Sequence, residues 1–291
     1  MAKIKLICDS TSDLSEELYK EIDADICRLK VNFGEETYVD GETIDVDMLY
    51  KMVDEKKQLP KTSACSIGDY LEMFQKYIDK GYQIIFVSIS GGFSSNVNNA
   101  MNAKNMLEGH EDDIMILDSE ELSSGIGLQL MCIHRDIEAG LSLKEVYDRA
   151  LERRPRVYAA FSLDRMEYLH KGGRCSGTEY FFGRMFNLHP IIRVEHGKMI
   201  VHKIIRGKTI KALNFQIQEF KEQYDKGNVE LNEVFITHSM APEYCDYMYK
   251  KLCEFVDPSI IKITEAGSII SSHCGKGTIG LLYITKEKVI K

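Results

Sequence analysis

The sequence predicts an α/β fold of two domains: an N-terminal domain with a mainly parallel sheet and flanking helices, and a C-terminal domain with a mixed α/β sheet. In the first half of the chain, short apolar runs alternate with segments of helical periodicity, which is the pattern of β-α units. In the second half, two strand-like runs flank His196-Gly197, which predicts a β-hairpin. The length of 291 residues suits two domains of ordinary size. We place the boundary near Arg153-Arg154-Pro155, so that domains of residues 1–154 and 155–291 hold a ligand cleft between them.

Strands and helices alternate throughout the first half. The predicted strands are Ile4–Cys8, Asp25–Val31, Gln83–Ser88 and Ile114–Asp118. The predicted helices are Leu14–Glu21, Asp45–Lys56, Ser66–Tyr77 and Ser95–Leu107, with a further helix ending near Glu138. Ser66 and Asp69 have the spacing of a capping box at the start of their helix. This alternation indicates parallel strands joined by right-handed crossovers.

The second half has a different order of elements. Strands are predicted at Val157–Leu163, Ile191–Glu195, Lys198–Ile205, Glu233–His238 and Ile279–Tyr283. Helices are predicted at Ile210–Tyr224 and Pro242–Phe255. A hairpin combined with helices indicates a mixed sheet, and therefore a separate domain.

Composition and charge exclude several classes of function. The net charge of −8 disfavours nucleic acid, because the chain would repel phosphates and no basic run compensates. No apolar stretch approaches the roughly 18 residues of a transmembrane segment, and the N-terminus lacks a signal-peptide pattern. The eight cysteines are dispersed without a Cys-x-x-Cys pair, which is typical of reduced core residues. We therefore expect a cytoplasmic protein.

Small hydroxyl residues follow three strands of the first half. They occur in Asp9-Ser10-Thr11-Ser12, in Ser88 to Ser95, and in Asp118-Ser119. Loops at the carboxyl ends of parallel strands line the binding crevice of such a sheet, and helix N-termini there favour anions. Ser94 and Ser95 suit an anion site, although helix capping is the favoured interpretation of any one serine. Thr62, in a turn between two helices, could add a hydroxyl to the same anion or only stabilise its turn.

Two further segments could contribute to a site. His170-Lys171-Gly172-Gly173-Arg174 ends a short helix, so Arg174 either faces the cleft and balances a carboxylate or is a solvent-exposed cation near a helix end. His273 lies in a predicted glycine-bearing loop, where few aliphatic neighbours would bury it. No zinc-binding or P-loop spacing occurs, and no Gly-x-Ser-x-Gly motif is present. We therefore predict no metal and no cofactor.

The chain resembles the DegV family of fatty-acid-binding proteins over essentially its whole length. The resemblance depends on an ordered series of short motifs: Asp9-Ser10-Thr11-Ser12-Asp13-Leu14, Thr62-Ser63-x-x-Ser66, Ser88-Ile89-Ser90 leading to Phe93-Ser94, Asp118-Ser119 with Gly125-Ile126-Gly127, Lys171-Gly172-Gly173-Arg174, and His273 with Gly275 and Gly277. The surroundings differ from the usual family pattern at Ala64-Cys65, at Phe93 and Ser95-Asn96-Val97, and at Ser271 and Lys276.

The resemblance implies a two-domain carrier that holds one long-chain fatty acid and presents its carboxylate to a separate ATP-binding fatty acid kinase subunit. It assigns the carboxylate site to Thr62 and Ser94, with Arg174 and His273 completing the polar network; Ser95, beside Ser94, is the fifth candidate ligand-binding residue. Arg206 resembles a position linked to docking of the kinase. The carrier itself would have no catalytic residue, and transient contact with a membrane would be compatible with its cargo.

Two alternatives stay open from the residues alone. The chain could be an acyl hydrolase that uses Ser94 as nucleophile and His273 as base, although no carboxylate partner for the histidine is evident. It could also be a sensor or interaction protein in which the lipid is only structural. Turnover of acyl esters would favour the first alternative, and failure to pair with a kinase subunit would favour the second.

Overall fold

The computed structural model describes residues 3–164, 166–175 and 187–289. Its strands are β1 (Lys3–Asp9), β2 (Ala24–Cys27), β3 (Lys30–Phe33), β4 (Glu36–Val39), β5 (Lys61–Ser63), β6 (Tyr82–Ser88), β7 (Ile114–Asp118), β8 (Val157–Ser162), β9 (Leu188–Glu195), β10 (Lys198–Arg206), β11 (Val229–Ser239), β12 (Ile261–Glu265) and β13 (Thr278–Thr285). Its helices are α1 (Glu16–Glu21), α2 (Val46–Lys56), α3 (Ile67–Ile78), α4 (Asn96–Asn105), α5 (Ser124–Glu138), α6 (Leu143–Arg153), α7 (Met166–Gly172), α8 (Thr209–Asp225), α9 (Pro242–Leu252) and α10 (Ser268–Cys274).

The described strands form a parallel sheet and a separate mixed sheet, as the sequence predicted. The parallel sheet has the order β2-β1-β6-β7. The mixed sheet has the order β10-β9-β8-β13-β11-β12, with β11 and β12 parallel and the other neighbours antiparallel. The predicted hairpin is confirmed: His196 and Gly197 both have positive φ, which matches the right-handed twist of the flanking strands.

One predicted strand is wrong in its extent. Asp25–Val31 was expected to be a single strand, but β2 ends at Cys27 and β3 begins at Lys30. β3 leaves the parallel sheet and pairs with β4 and β5 in a small antiparallel sheet. The turn between β2 and β3 matters for the site, because it brings β3 to pair with β5, which carries Thr62.

Helix α5 lies between the two large sheets. It contacts β1 and β6 on one side and β8, β11 and β13 on the other. All ten residues from Ser124 to Ile133 are buried. The resulting apolar core includes Leu6 and Val87 from the parallel sheet together with Phe161 and Leu282 from the mixed sheet. The division into residues 1–154 and 155–291 remains a prediction, because this core is continuous across it.

The outer faces of the two sheets are covered by other helices. α3 and α4 pack on the parallel sheet through Tyr70, Phe74 and Ala100. α8 and α9 pack on the mixed sheet through Phe220 and Met248. The predicted capping box at Ser66 and Asp69 is present and begins α3.

Candidate functional site

A cavity of about 630 Å³ lies where the loops of the parallel sheet meet the mixed sheet, α7 and α10. Much of its wall is apolar, formed by Leu29, Ile89, Phe93, Leu122, Phe161, Leu169, Met199, Ile269, Ile270 and Leu282. Polar side chains on the wall include Thr62, Ser94, Ser95, Asn98, Arg174 and His273. The cavity therefore offers both apolar surface and hydrogen-bonding groups to one ligand.

Asp9 fixes the edge of the parallel sheet that faces the cavity. Its buried carboxylate accepts hydrogen bonds from the N–H groups of Thr11 (3.1 Å) and Ile89 (2.7 Å) and from Nδ2 of Asn96 (3.0 Å). Burial raises the pKa of Asp9, and these bonds oppose that shift. Because the three donors belong to the loops after β1 and β6 and to the start of α4, one carboxylate holds all three segments in place.

Two further carboxylates fix α10. The N–H of Gly267 donates to Asp13 (2.8 Å), and the N–H of Ser268 donates to Asp40 (2.9 Å). Burial raises the pKa of both carboxyl groups. These bonds satisfy N–H groups that a helix start leaves without partners, and they position His273 at the other end of the same helix.

The prediction that His273 lies in a loop is wrong. It lies in the last turn of α10, a helix of seven residues. The segment Ser268–Cys274 contains three serines and two β-branched residues, which are weak helix formers. Its helical conformation depends on capping by Asp13 and Asp40, which come from distant parts of the chain.

Thr62 and His273 are in direct contact. Oγ1 of Thr62 lies 2.8 Å from Nε2 of His273. Thr62 is held by the pairing of β5 with β3, in which it lies opposite Val31. Burial, and to a smaller extent the nearby Arg174, lower the pKa of His273 to about 4. The imidazole is therefore neutral at pH 7.

Ser94 and Ser95 lie in the turn before α4. The hydroxyl oxygen of Ser94 accepts from the N–H of Asn96 at 3.3 Å, so capping accounts for part of its hydrogen bonding. Ser95 occupies the N-cap position of α4, yet its side chain makes no capping bond. Its exposed hydroxyl lies on the cavity wall.

Arg174 follows α7 and crosses to the same turn. Its Nε donates to the carbonyl oxygen of Phe93 at 3.4 Å, next to Ser94 in the chain. The side chain is exposed at one edge of the cavity, so its charge is available to a ligand and to solvent.

The structure thus brings five of the six candidate residues to one cavity: Thr62, Ser94, Ser95, Arg174 and His273. Their role in ligand binding remains a prediction. Arg206 is not among the residues that form the wall; it is exposed at the end of β10, opposite Leu188 in the hairpin.

The polar floor of the cavity was not predicted from the sequence. Thr237 and Ser239 lie on the same face of β11, and Thr278 lies beside them on β13. The hydroxyl oxygen of Ser239 lies 2.6 Å from that of Tyr50 and 2.7 Å from that of Ser271. Alternating hydroxyl residues at the end of an otherwise apolar strand were the available signal.

The arrangement of Ser94 and His273 gives no support to the hydrolase alternative. Nε2 of His273 contacts Thr62, and its Nδ1 has no hydrogen-bond partner among the described residues. A nucleophile–base pair needs the histidine to contact the nucleophile and a third group to orient the ring.

The described ranges hold no group of three or more His, Cys, Asp or Glu side chains suited to a metal ion. No helix in this part of the chain combines the length and apolar character needed to cross a bilayer.

Comparisons with known proteins give a consistent result. The family model for DegV, described as "Uncharacterised protein, DegV family", matches residues 3–286. A DegV domain-containing protein of Clostridium perfringens is 30% identical over 288 residues, covering 98% of this chain and 99% of that protein. A solved structure that reports fatty acid binding of a DegV family protein from Thermus thermophilus is 25% identical, with a TM-score of 0.88 and coverage of 97% and 99% of the two chains. A stearic acid-binding protein from Eubacterium ventriosum is 27% identical, with a TM-score of 0.83 and coverage of 98% and 99%.

Proposed function

This chain belongs to the DegV family, and we propose that it binds one long-chain fatty acid in its cavity, with the carboxylate beside Thr62 and Ser94. The observation that carries this proposal is that an apolar wall and a cluster of polar side chains share a single cavity of about 630 Å³. Small-ligand pockets generally measure about 300–1,000 Å³. The fatty acid binding reported for the Thermus thermophilus protein and the stearic acid named for the Eubacterium ventriosum protein support the same class of ligand.

The apolar wall supplies the affinity for the tail. Each buried CH₂ group contributes about 0.8 kcal/mol, so a tail of about sixteen carbons gains on the order of 10 kcal/mol before ordering costs. Phe161 and Leu282 from the mixed sheet and Ile269 and Ile270 from α10 provide this surface.

The polar residues replace the water that the carboxylate loses. A buried charge without hydrogen bonds is very costly, so the headgroup needs donors. The hydroxyls of Thr62, Ser94 and Ser95 are donors that require no counter-charge of their own. Arg174 supplies a positive charge at the edge of the cavity, where the carboxylate would remain accessible.

The partner in this proposal is an ATP-binding fatty acid kinase subunit that converts the presented carboxylate to acyl phosphate. The chain itself acts as a non-catalytic carrier in the cytoplasm. The resemblance to DegV-type carriers supports this role, and the exposed position of Arg206 leaves that side chain free to contact a partner surface.

The first experiment asks what the purified protein carries. Solvent extraction and mass spectrometry should find close to one long-chain fatty acid per chain. A binding titration of delipidated protein should then show that Thr62→Ala and Ser94→Ala each weaken binding roughly tenfold or more, since each removes a hydrogen bond to a charged group.

Thr37→Ala is the matched control for Thr62→Ala. Thr37 is exposed on β4 and is not among the residues that form the cavity wall; its hydroxyl donates to Oδ1 of Asn32 at 2.8 Å, so the variant should bind like the wild type. Absence of any bound or bindable fatty acid would refute the proposed function. Wild-type affinity in both the Thr62 and the Ser94 variant would refute the assignment of the headgroup while leaving lipid binding intact.

A further inference from the structure

Gly172 and His273 form a close contact between α7 and α10. A Cβ atom at position 172 would lie 2.6 Å from Nδ1 of His273 and 3.6 Å from each of the ring atoms Cγ and Cε1. Equal distances to the two carbons that flank Nδ1 put this point on the outward axis of that nitrogen, because a point above the ring plane would lie closer to both. The Cα hydrogen of Gly172 that a Cβ atom would replace therefore lies close to the outward axis of Nδ1.

This contact decides which ring nitrogen carries the proton. Nδ1 of His273 is buried and has no hydrogen-bond partner in the described part of the chain. A neutral imidazole has one N–H donor and one bare acceptor nitrogen. A buried N–H aimed at a C–H group would lose its hydrogen bond entirely, whereas a bare nitrogen accepts a weak contact from that C–H. The neutral state agrees with the lowered pKa of His273, and the proton is assigned to Nε2.

The tautomer in turn orients the hydroxyl of Thr62. With its proton on Nε2, His273 donates to Oγ1 of Thr62 across 2.8 Å. The O–H of Thr62 then remains free to donate. In the other tautomer the same O–H would be used on Nε2, and Thr62 would offer only lone pairs to a ligand.

We propose that Gly172 is a positioning residue that holds His273 in the Nε2–H tautomer, so that Thr62 donates into the cavity and the headgroup taken there is an ionised carboxylate. The identity of the headgroup rests on the proposed fatty-acid function, whereas the tautomer does not. An ionised oxygen gains roughly twice as much from a donated hydrogen bond as a neutral one, which gives the site its preference.

The tautomer can be measured directly in the wild-type protein. Long-range ¹H–¹⁵N correlation spectra of ¹⁵N-histidine-labelled, lipid-free protein at pH 7 separate the two neutral forms from imidazolium. The chain has eight histidines, and the signal missing from His273→Gln identifies the residue. We expect the Nε2–H pattern. An Nδ1–H pattern, or imidazolium at this pH, would overturn the proposal whether or not the protein binds lipid.

A binding experiment tests the consequence for the headgroup. Gly172→Ala places a methyl group against Nδ1 and should push the ring away from Thr62. We expect hexadecanoate affinity to fall roughly tenfold, and affinity for hexadecan-1-ol to change less than threefold. Gly68→Ala in α3 is the control, since its Cβ would meet nothing nearer than Oγ of Ser66 at 3.6 Å.

The outcomes separate the two proposals. If the wild type binds neither compound, the proposed function fails, while the spectra still decide the tautomer. If the wild type binds both compounds, two results refute the role assigned to Gly172. In the first, Gly172→Ala weakens the binding of both compounds equally; in the second, it weakens the binding of neither.

Discussion

Replacing His273 with glutamine should reduce the acid sensitivity of the folded protein. The pKa of His273 is lowered to about 4 in the folded chain from an ordinary value of 6.5, chiefly by burial. Between these values the unfolded chain binds a proton that the folded chain excludes, so stability falls as the pH falls below 6.5. Below the folded pKa both states are protonated, and no further loss occurs.

The size of the effect follows from the two pKa values. At pH 8 neither state is protonated at this residue, and the contribution is close to zero. At pH 5 the unfolded histidine is almost fully protonated and the folded one is largely neutral, which costs the wild type about 2 kcal/mol of stability. Glutamine has no such proton, so this loss disappears in the variant.

Urea unfolding of lipid-free protein at pH 8 and pH 5 measures the difference. Burial raises the pKa of Asp9, Asp13 and Glu121, and these groups have the opposite sign because they favour the folded state as the pH falls. These carboxyl groups are present in both proteins. Their contributions cancel when the change in unfolding free energy between pH 8 and pH 5 of one protein is subtracted from that of the other. Equal changes in wild type and His273→Gln would show that His273 is not buried in its neutral form, and the argument would fail.

Two further predictions concern the scaffold and the docking surface. Asn96→Ala should lower the free energy of unfolding by about 2–4 kcal/mol, because it removes a buried hydrogen bond to Asp9 and leaves the buried N–H of Cys65 without its acceptor. Asn98→Ala, at an exposed position of the same helix, should change the stability very little. Chemical denaturation of both variants measures this, and equal stabilities would contradict the prediction. Arg206→Glu should weaken association with a fatty acid kinase subunit without changing the affinity for fatty acid. Lys203→Glu, also exposed on β10, is the control and should leave the association unchanged. A pull-down measures the association and a titration measures fatty-acid affinity; undiminished association of the Arg206 variant would show that this residue is not part of the docking surface.

The alternating elements of the first half were predictable because their signals are local. Gln83–Ser88 is a continuous β-prone run bounded by turn residues, and it forms β6 with one additional residue. The hairpin at His196-Gly197 was equally clear. Such elements are specified by neighbours in the chain, and the sequence-based boundaries agree with the structure to within a few residues.

The parts that escaped prediction depend on distant partners. α10 is a short, serine-containing segment that becomes helical where Asp13 and Asp40 cap it. The break between β2 and β3 occurs in a run that is strand-like throughout, and only the pairing of β3 with β4 and β5 reveals it. Local periodicity contains no information about either arrangement.

The candidate site depends both on local sequence motifs and on contacts between distant segments. Thr62 and His273 were selected because short motifs resemble a known family, but their contact at 2.8 Å follows from two elements whose form was not predicted. The side chains that form the apolar wall could not be identified beforehand, because every buried helix face offers the same residue types.

The burial of α5 on both sides limits how a ligand could reach the cavity. Spreading the two sheets apart in the manner of a clamshell would separate α5 from one sheet and expose the apolar side chains that face it, since Ile126, Leu128, Leu130, Met131 and Ile133 are all buried. Each such side chain costs about 1.5–3 kcal/mol to expose, so the loss of even part of this set is large beside the stability of a typical domain. We therefore expect the proposed ligand to enter and leave by rearrangement at the rim of the cavity, where the end of α7 and the turn before α4 meet, while the centre of the molecule stays closed.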